Sequence, residues 1–236
     1  MSNHRVAVLT GGTGGLGTAL SKRLAVKGHR LAVTYVRPEE STAFEAALDL
    51  DEDQLLLRRV DASSPEEMSA FLDETQNRFG SIDIVCSLVG VWAGGRDVEE
   101  TSDVRWERML DVNLYSAFNT LRSAIPHLRL SEGGRVVLVG SRAALDTPAG
   151  QAAFNVAKAG VIALAKSASV ELDDTNITVN VVAPSVIDTP ATREALPFAD
   201  YVGWPTPDEI AKVIEFLVSV ESEVVSGGVI PVYGKT

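Results

Sequence analysis

The chain is poor in the residues that staple, metallate or anchor a protein. Of its 236 residues one is cysteine, Cys86, so no disulfide framework can form within it. That usage is compatible with a reducing compartment without proving one. Cys86 lies in the apolar run SIDIVCSLVG and reads as a buried small hydrophobe rather than a nucleophile. The three histidines, His4, His29 and His127, are isolated, and with Cys86 they make no metal-ligand spacing, so no metal site is expected. No apolar run approaches the roughly 18 residues of a membrane span. The opening MSNHRVAVLT passes straight into a strand-like segment without the long apolar core of a signal peptide. A cytoplasmic location with no membrane partner is the expectation, and the sequon at Asn176 carries little weight. Positive charge is also short. The net charge of −11 and the lack of a basic run argue against nucleic acid as the main partner.

What is present is an alternation. Short β-branched apolar runs at residues 5–10, 30–36, 55–60, 82–86, 135–139, 177–182 and 228–232 read as strands. Helical patterns occupy 15–27, 38–50, 65–79, 102–130, 150–172 and 208–220, with Pro126 near the end of the fourth and a proline-rich stretch over 184–207. Continuous apolar strands separated by helices indicate a parallel sheet covered on both faces. No linker or composition break divides the chain. The expectation is α/β: one Rossmann-type doubly wound domain over residues 1–236, with about seven strands. Ligands of such sheets bind outside the carboxyl ends of the strands, so the loops there are the places to inspect.

The loop after the first strand is TGGTGGLG, Thr10 to Gly17. Gly12, Gly14 and Gly17 fit G-x-G-x-x-G, with Thr13 and Leu16 between them. Glycine permits the tight turn and the close approach of backbone to phosphate, and the helix that follows presents free N–H groups to a pyrophosphate. A flexible turn would also use glycine. Here the pattern stands between a strand and a helix, as dinucleotide binding requires.

The same loop, through Thr10, Gly11, Gly15 and Gly17, resembles the T-G-x-x-x-G-x-G motif of the short-chain dehydrogenase/reductase family. The likeness covers nearly the whole chain. Asn113 lies in DVNL, similar to the family's N-V-N-L. Ser141 follows the fifth strand, position 154 stands 13 residues beyond it, and Lys158 four further on, which matches the family's Ser followed by Tyr-x-x-x-Lys. VNVVAPSVIDTP resembles its V-N-x-V-x-P-G-x-x-x-T segment. A narrower likeness, at 91–95, 141–150 and the tail from residue 187, is to dihydropteridine-reductase-like members; it does not fix the substrate.

The resemblance implies hydride transfer between a nicotinamide and a carbonyl or imine carbon, with tyrosine as proton donor, lysine lowering its pKa, serine holding the substrate atom and asparagine ordering a proton-relaying water. Asn113, Ser141 and Lys158 are retained, but position 154 is phenylalanine, which has no ionisable group. Losing a general acid typically costs about 10²–10⁴ in rate. Three explanations stand side by side: an engineered replacement that traps a complex; a natural residue, with protonation by Ser141, by water near Lys158 or by another hydroxyl; or a chain that binds the dinucleotide without turnover. Phe154 as a plain core aromatic is the bland alternative. Further departures are Ser87-Leu88-Val89-Gly90 for the family's N-N-A-G and Pro184-Ser185 for its Pro-Gly.

For cofactor choice, the second strand ends in VTYVRPEE, with Arg37 where an acidic residue would bind the ribose 2′-OH of NAD. NADP(H) is favoured over NAD(H), against the alternative that Arg37 is a solvated surface charge. By analogy Asp61, with Ala62, meets the adenine; DASSPEE also reads as a helix cap. Gly90, Lys158, Pro184, the backbone of Ile187 and the Thr189 hydroxyl complete the expected cofactor contacts. Residues 188–207 are the expected substrate lid. Trp92, Ser141, Tyr201 and Trp204 are the candidate substrate contacts, with ordinary packing of the aromatics as the alternative. The resemblance also implies a homo-oligomer, a tetramer or a dimer, through the two long helices at 102–130 and 150–172.

Overall fold

The computed structural model describes residues 4–235. They form a seven-stranded sheet in the order β3-β2-β1-β4-β5-β6-β7, every neighbouring pair parallel. The strands are β1 (Val6–Thr10), β2 (Arg30–Tyr35), β3 (Leu55–Arg59), β4 (Ile84–Ser87), β5 (Arg135–Val139), β6 (Thr178–Pro184) and β7 (Val229–Val232). Their side chains alternate between two cores. Val6 and Val8 face one with Met68, Phe71, Leu121 and Val161. Ala7 and Leu9 face the other with Leu20, Leu24, Ile210 and Ile214. β1, β4 and β5 are therefore apolar on both faces, which is why no polar alternation appears in their sequences. Burying one such leucine or isoleucine stabilises by about 1.5–3 kcal/mol.

The first core packs against α3 (Pro65–Phe79), α5 (Ser116–Leu128) and α7 (Ala152–Glu171), and the second against α1 (Gly15–Val26), α2 (Pro38–Leu48) and α9 (Pro207–Leu217). Local chemistry sets several of their ends. Ser64 caps α3 ahead of Pro65. Thr206 and Glu209 close a capping box on α9, so that helix starts at Pro207 rather than 208. Gly150, at φ +76°, holds the chain in a turn, and α7 starts at Ala152 rather than 150. No helix among the described residues is long and apolar enough to cross a membrane.

Two expectations change. The single helix over 102–130 is α4 (Asp103–Leu110), one π-helical turn (Asp111–Tyr115) and α5. The proline-rich segment expected as a lid is not all loop: Thr189 caps α8 (Pro190–Ala195) through its hydroxyl. A four-residue helix, α6 (Ala143–Asp146), follows β5. The chain reverses its strand order between β1 and β4, and the crevice of a doubly wound sheet lies at that point.

Candidate active site

The glycine loop leaves β1 at this reversal. Gly11 adopts φ +66°. Its N–H donates to Thr34 Oγ1 at 3.0 Å, and that of Gly12 to the Thr34 carbonyl at 3.1 Å. A Cβ on Gly17 would stand 2.3 Å from the Gly12 carbonyl oxygen, so α1 can start here only as glycine. Gly14 has nothing closer than 3.7 Å, so protein packing does not demand its glycine. The first turn of α1 carries no acidic residue and no side-chain cap. Its free N–H groups and positive dipole end are uncompensated, which suits a pyrophosphate. Gly17→Ala is expected to destabilise by about 1–3 kcal/mol or more and to abolish dinucleotide binding. A denaturant midpoint equal to the wild type's contradicts this close approach.

The loops after β4 and β6 meet the glycine loop. A Cβ on Gly11 would lie 2.9 Å from Val89 Cγ2, and one on Gly15 would lie 3.1 Å from Thr189 Cγ2. Gly90 sits where two polar side chains converge: its Cβ would be 3.0 Å from Lys158 Nζ and 3.1 Å from Asn113 Oδ1. Asn113 is buried in the middle of the π turn. It accepts from Val91 N–H at 3.1 Å and donates to the carbonyls of Val91 and Met109, both at 3.0 Å. This clamp on the β4 loop gives the irregular turn its reason, since such bulges gather at functional positions. Gly160 keeps α7 close to the same turn: a Cβ there would stand 2.8 Å from Leu114.

Lys158 is 4% exposed. Its Nζ donates to the Val139 carbonyl at 2.9 Å, at the end of β5. Burial lowers its pKa to about 8. Ser141 follows two residues after Val139, its Oγ accepting from Ala143 N–H at 3.1 Å. One helical turn before Lys158, Phe154 packs with Met109 and Ala153 in a small apolar cluster bordered by Val91, Ala93 and Ala143. It is 8% exposed. Cys86 is fully buried and burial pushes its thiol up to about 12, as suits an unreactive core residue.

At the other end, Arg37 precedes α2 and pairs with Glu40. Glu40 also accepts from the Thr13 hydroxyl at 3.0 Å. Arg59, at the end of β3, donates to the Val36 carbonyl at 3.1 Å, so two guanidinium groups flank the end of β2. Asp61 Oδ1 accepts from the backbone and hydroxyl of Ser63 at 2.9 and 2.7 Å. The α3 cap itself is Ser64, so Asp61 shapes the turn before that helix rather than capping it. Ala62 is buried beside it.

In the loop after β4, Trp92 Nε1 donates to Gln151 Oε1 at 2.6 Å, and Arg96 N–H to the Gly150 carbonyl at 3.1 Å. These bonds latch the β4 loop to the start of α7. In the lid, Arg193 forks onto Asp188 at 2.6 and 2.8 Å and lies over the Tyr201 ring. Tyr201 packs against Trp204, with ring centroids 6.1 Å apart. Ile187 packs against the second core, and Pro184 ends β6 beside Val232. A cavity of about 490 Å³ between residues 97–99 and 147–156 is lined by none of Lys158, Asn113, Ser141 or the glycine loop.

The structure thus brings together the glycine loop, Gly90, Asn113, Lys158 and Thr189. It engages Tyr201 and Trp204 within the lid. Glu40, Arg59 and Gln151 were not singled out from sequence. Only Glu40 left a trace there, its three-residue spacing from Arg37.

The strand order and the glycine loop at its reversal define a doubly wound α/β protein with a nucleotide-type crevice. A family model described as short chain dehydrogenase matches residues 5–199, and the chain belongs to the short-chain dehydrogenase/reductase family. It is similar to the 3-oxoacyl-[acyl-carrier-protein] reductase MabA of Mycobacterium tuberculosis, 32% identical over 98% of this chain and 92% of that one. D-beta-hydroxybutyrate dehydrogenase of Rhizobium meliloti is 30% identical over 82% of this chain and 75% of its own. Among solved structures, a short-chain dehydrogenase/reductase of Serratia marcescens superposes with TM-score 0.91 at 28% identity, covering 100% of this chain and 99% of that one.

Proposed function

We propose that the chain is an NADP(H)-dependent reductase acting on a carbonyl or a quinonoid or imine carbon of a small molecule, with turnover weakened or altered by Phe154. The observation that carries this reading is Lys158. A lysine taken out of water and held at the Val139 carbonyl loses stability for its charge, with a pKa near 8. Such a cost is expected where a side chain serves a ligand. Its ammonium has three donors, and Val139 takes one.

The residues present fit a dinucleotide: a loop closed to any Cβ at Gly17, an uncapped helix start for the pyrophosphate, Arg37 for a 2′-phosphate, and Lys158 for the nicotinamide ribose. When bound, the nicotinamide supplies or takes the hydride. Lys158, its pKa lowered by burial to about 8, holds a proton close to the reacting centre, and Ser141 offers a hydroxyl. Asn113 holds the β4 loop beside Lys158. A quinonoid substrate needs less acid assistance, which agrees with the pterin-reductase likeness. The relatives described above are by name an acyl-carrier-protein reductase and a hydroxybutyrate dehydrogenase. A homo-oligomer through α5 and α7 completes the proposal, since Tyr115 just before α5, Phe118 on α5, and Val156 and Val170 on α7 lie exposed.

Oxidation of NADPH by the wild-type protein, followed with a panel of carbonyl and quinonoid pterin substrates, tests this. Slow turnover of at least one is the expected result. A second reading, a dinucleotide-binding pseudoenzyme with a regulatory or partner role, draws on the apolar packing of Phe154. Saturable NADPH binding with no turnover, unrescued by Phe154→Tyr, favours it.

A further inference from the structure

The adenosine end of the site holds a carboxylate that an NADP preference does not call for. Glu40 stands in the first turn of α2, three residues after Arg37. One of its oxygens accepts from the Thr13 hydroxyl at 3.0 Å, and the other pairs with Arg37 Nη2. Thr13 belongs to the glycine loop and is buried, so the acid is tethered from the loop side. The Glu40 side chain is 25% exposed and that of Arg37 70%, so the fixed member of the pair is the acid.

A 2′-phosphate approaching Arg37 meets that arrangement at a disadvantage. It must share the guanidinium with a carboxylate or displace it, and two like charges then stand close together. A 2′-hydroxyl meets no such conflict, because a carboxylate accepts its hydrogen bond. We propose that Glu40 sets the ratio of NADPH to NADH affinity, by occupying the cation a 2′-phosphate needs and by holding a negative charge beside it. The proposal rests on the reading that Arg37 faces the 2′-phosphate. It makes the site permissive to both dinucleotides rather than strict for one.

The test is a fluorescence titration of NADPH and NADH into the wild-type protein, Glu40→Gln and Arg37→Ala. Glutamine keeps an acceptor for Thr13 while removing the charge. In Glu40→Gln the preference for NADPH over NADH is expected to rise about threefold to tenfold, the scale of a partly exposed charge pair, and the gain shrinks as salt is added. Glu40→Ser makes the same charge change with another shape and is expected to move the ratio the same way. If Arg37→Ala weakens NADPH while both Glu40 variants leave the ratio unchanged, the Glu40 proposal is overturned and the cofactor reading stands. If Arg37→Ala alters neither affinity, the phosphate contact lies elsewhere and both fall.

Discussion

Phe154→Tyr is expected to raise kcat for a carbonyl substrate by about 10²–10⁴, the usual contribution of a positioned general acid. The ring site already exists, walled by Met109 and Ala153 and bordered by Val91, Ala93 and Ala143. Residues four apart on a helix share a face, so position 154 and Lys158 are neighbours across one turn. A phenol there has a normal pKa near 10, and a nearby ammonium lowers it by favouring phenolate. The gain belongs in kcat. Affinity for the dinucleotide is expected to change little, because its contacts lie on other residues. Steady-state kinetics of the two proteins on one substrate decide the matter. Equal kcat values would mean that the proton comes from Ser141, from water or from nowhere, and that the ring position is idle.

Lys158→Met has the second large effect, on two observables. Loss of a charged hydrogen bond to the ribose is expected to weaken dinucleotide binding about tenfold to a hundredfold. The second observable is stability against pH. Burial lowers the lysine pKa from 10.5 to about 8. Between those values the unfolded chain carries a proton that the folded chain does not, so stability rises with pH across that window. Below it, the full cost of the buried charge is present. The stability of wild type relative to Lys158→Met is therefore expected to climb by about 3 kcal/mol from pH 8 to 10.5. Denaturant melts of both proteins at several pH values measure it. A flat difference contradicts a desolvated lysine.

The sheet was legible because its evidence is local. Apolar runs bounded by turn residues mark β1 to β7, and the glycine loop is marked by its spacing together with its place between a strand and a helix. Asn113, Ser141 and Lys158 could be named as candidates for the same reason, as fixed offsets in a motif. The π turn was not. Residues 111–115 carry no special composition, and their hydrogen-bond register is set by the Asn113 side chain reaching Val91, a contact 22 residues away. Trp92 with Gln151 is equally long-range, 59 residues apart. The lid shows a third case. Thr189-Pro190 is a recognisable helix start, but α8 is only six residues long and offers too little periodicity to read. Glu40 was visible as a residue beside Arg37, but its bond to Thr13 spans 27 positions and needs the fold.

A dinucleotide site that survives intact around Phe154 binds its ligand without any proton donor at that position. Calorimetric titration of the wild-type protein with NADPH, and separately with NADH, tests it most directly. Saturable binding of one dinucleotide per chain, with NADPH the tighter, is the predicted result. No heat of binding with either dinucleotide would contradict the account.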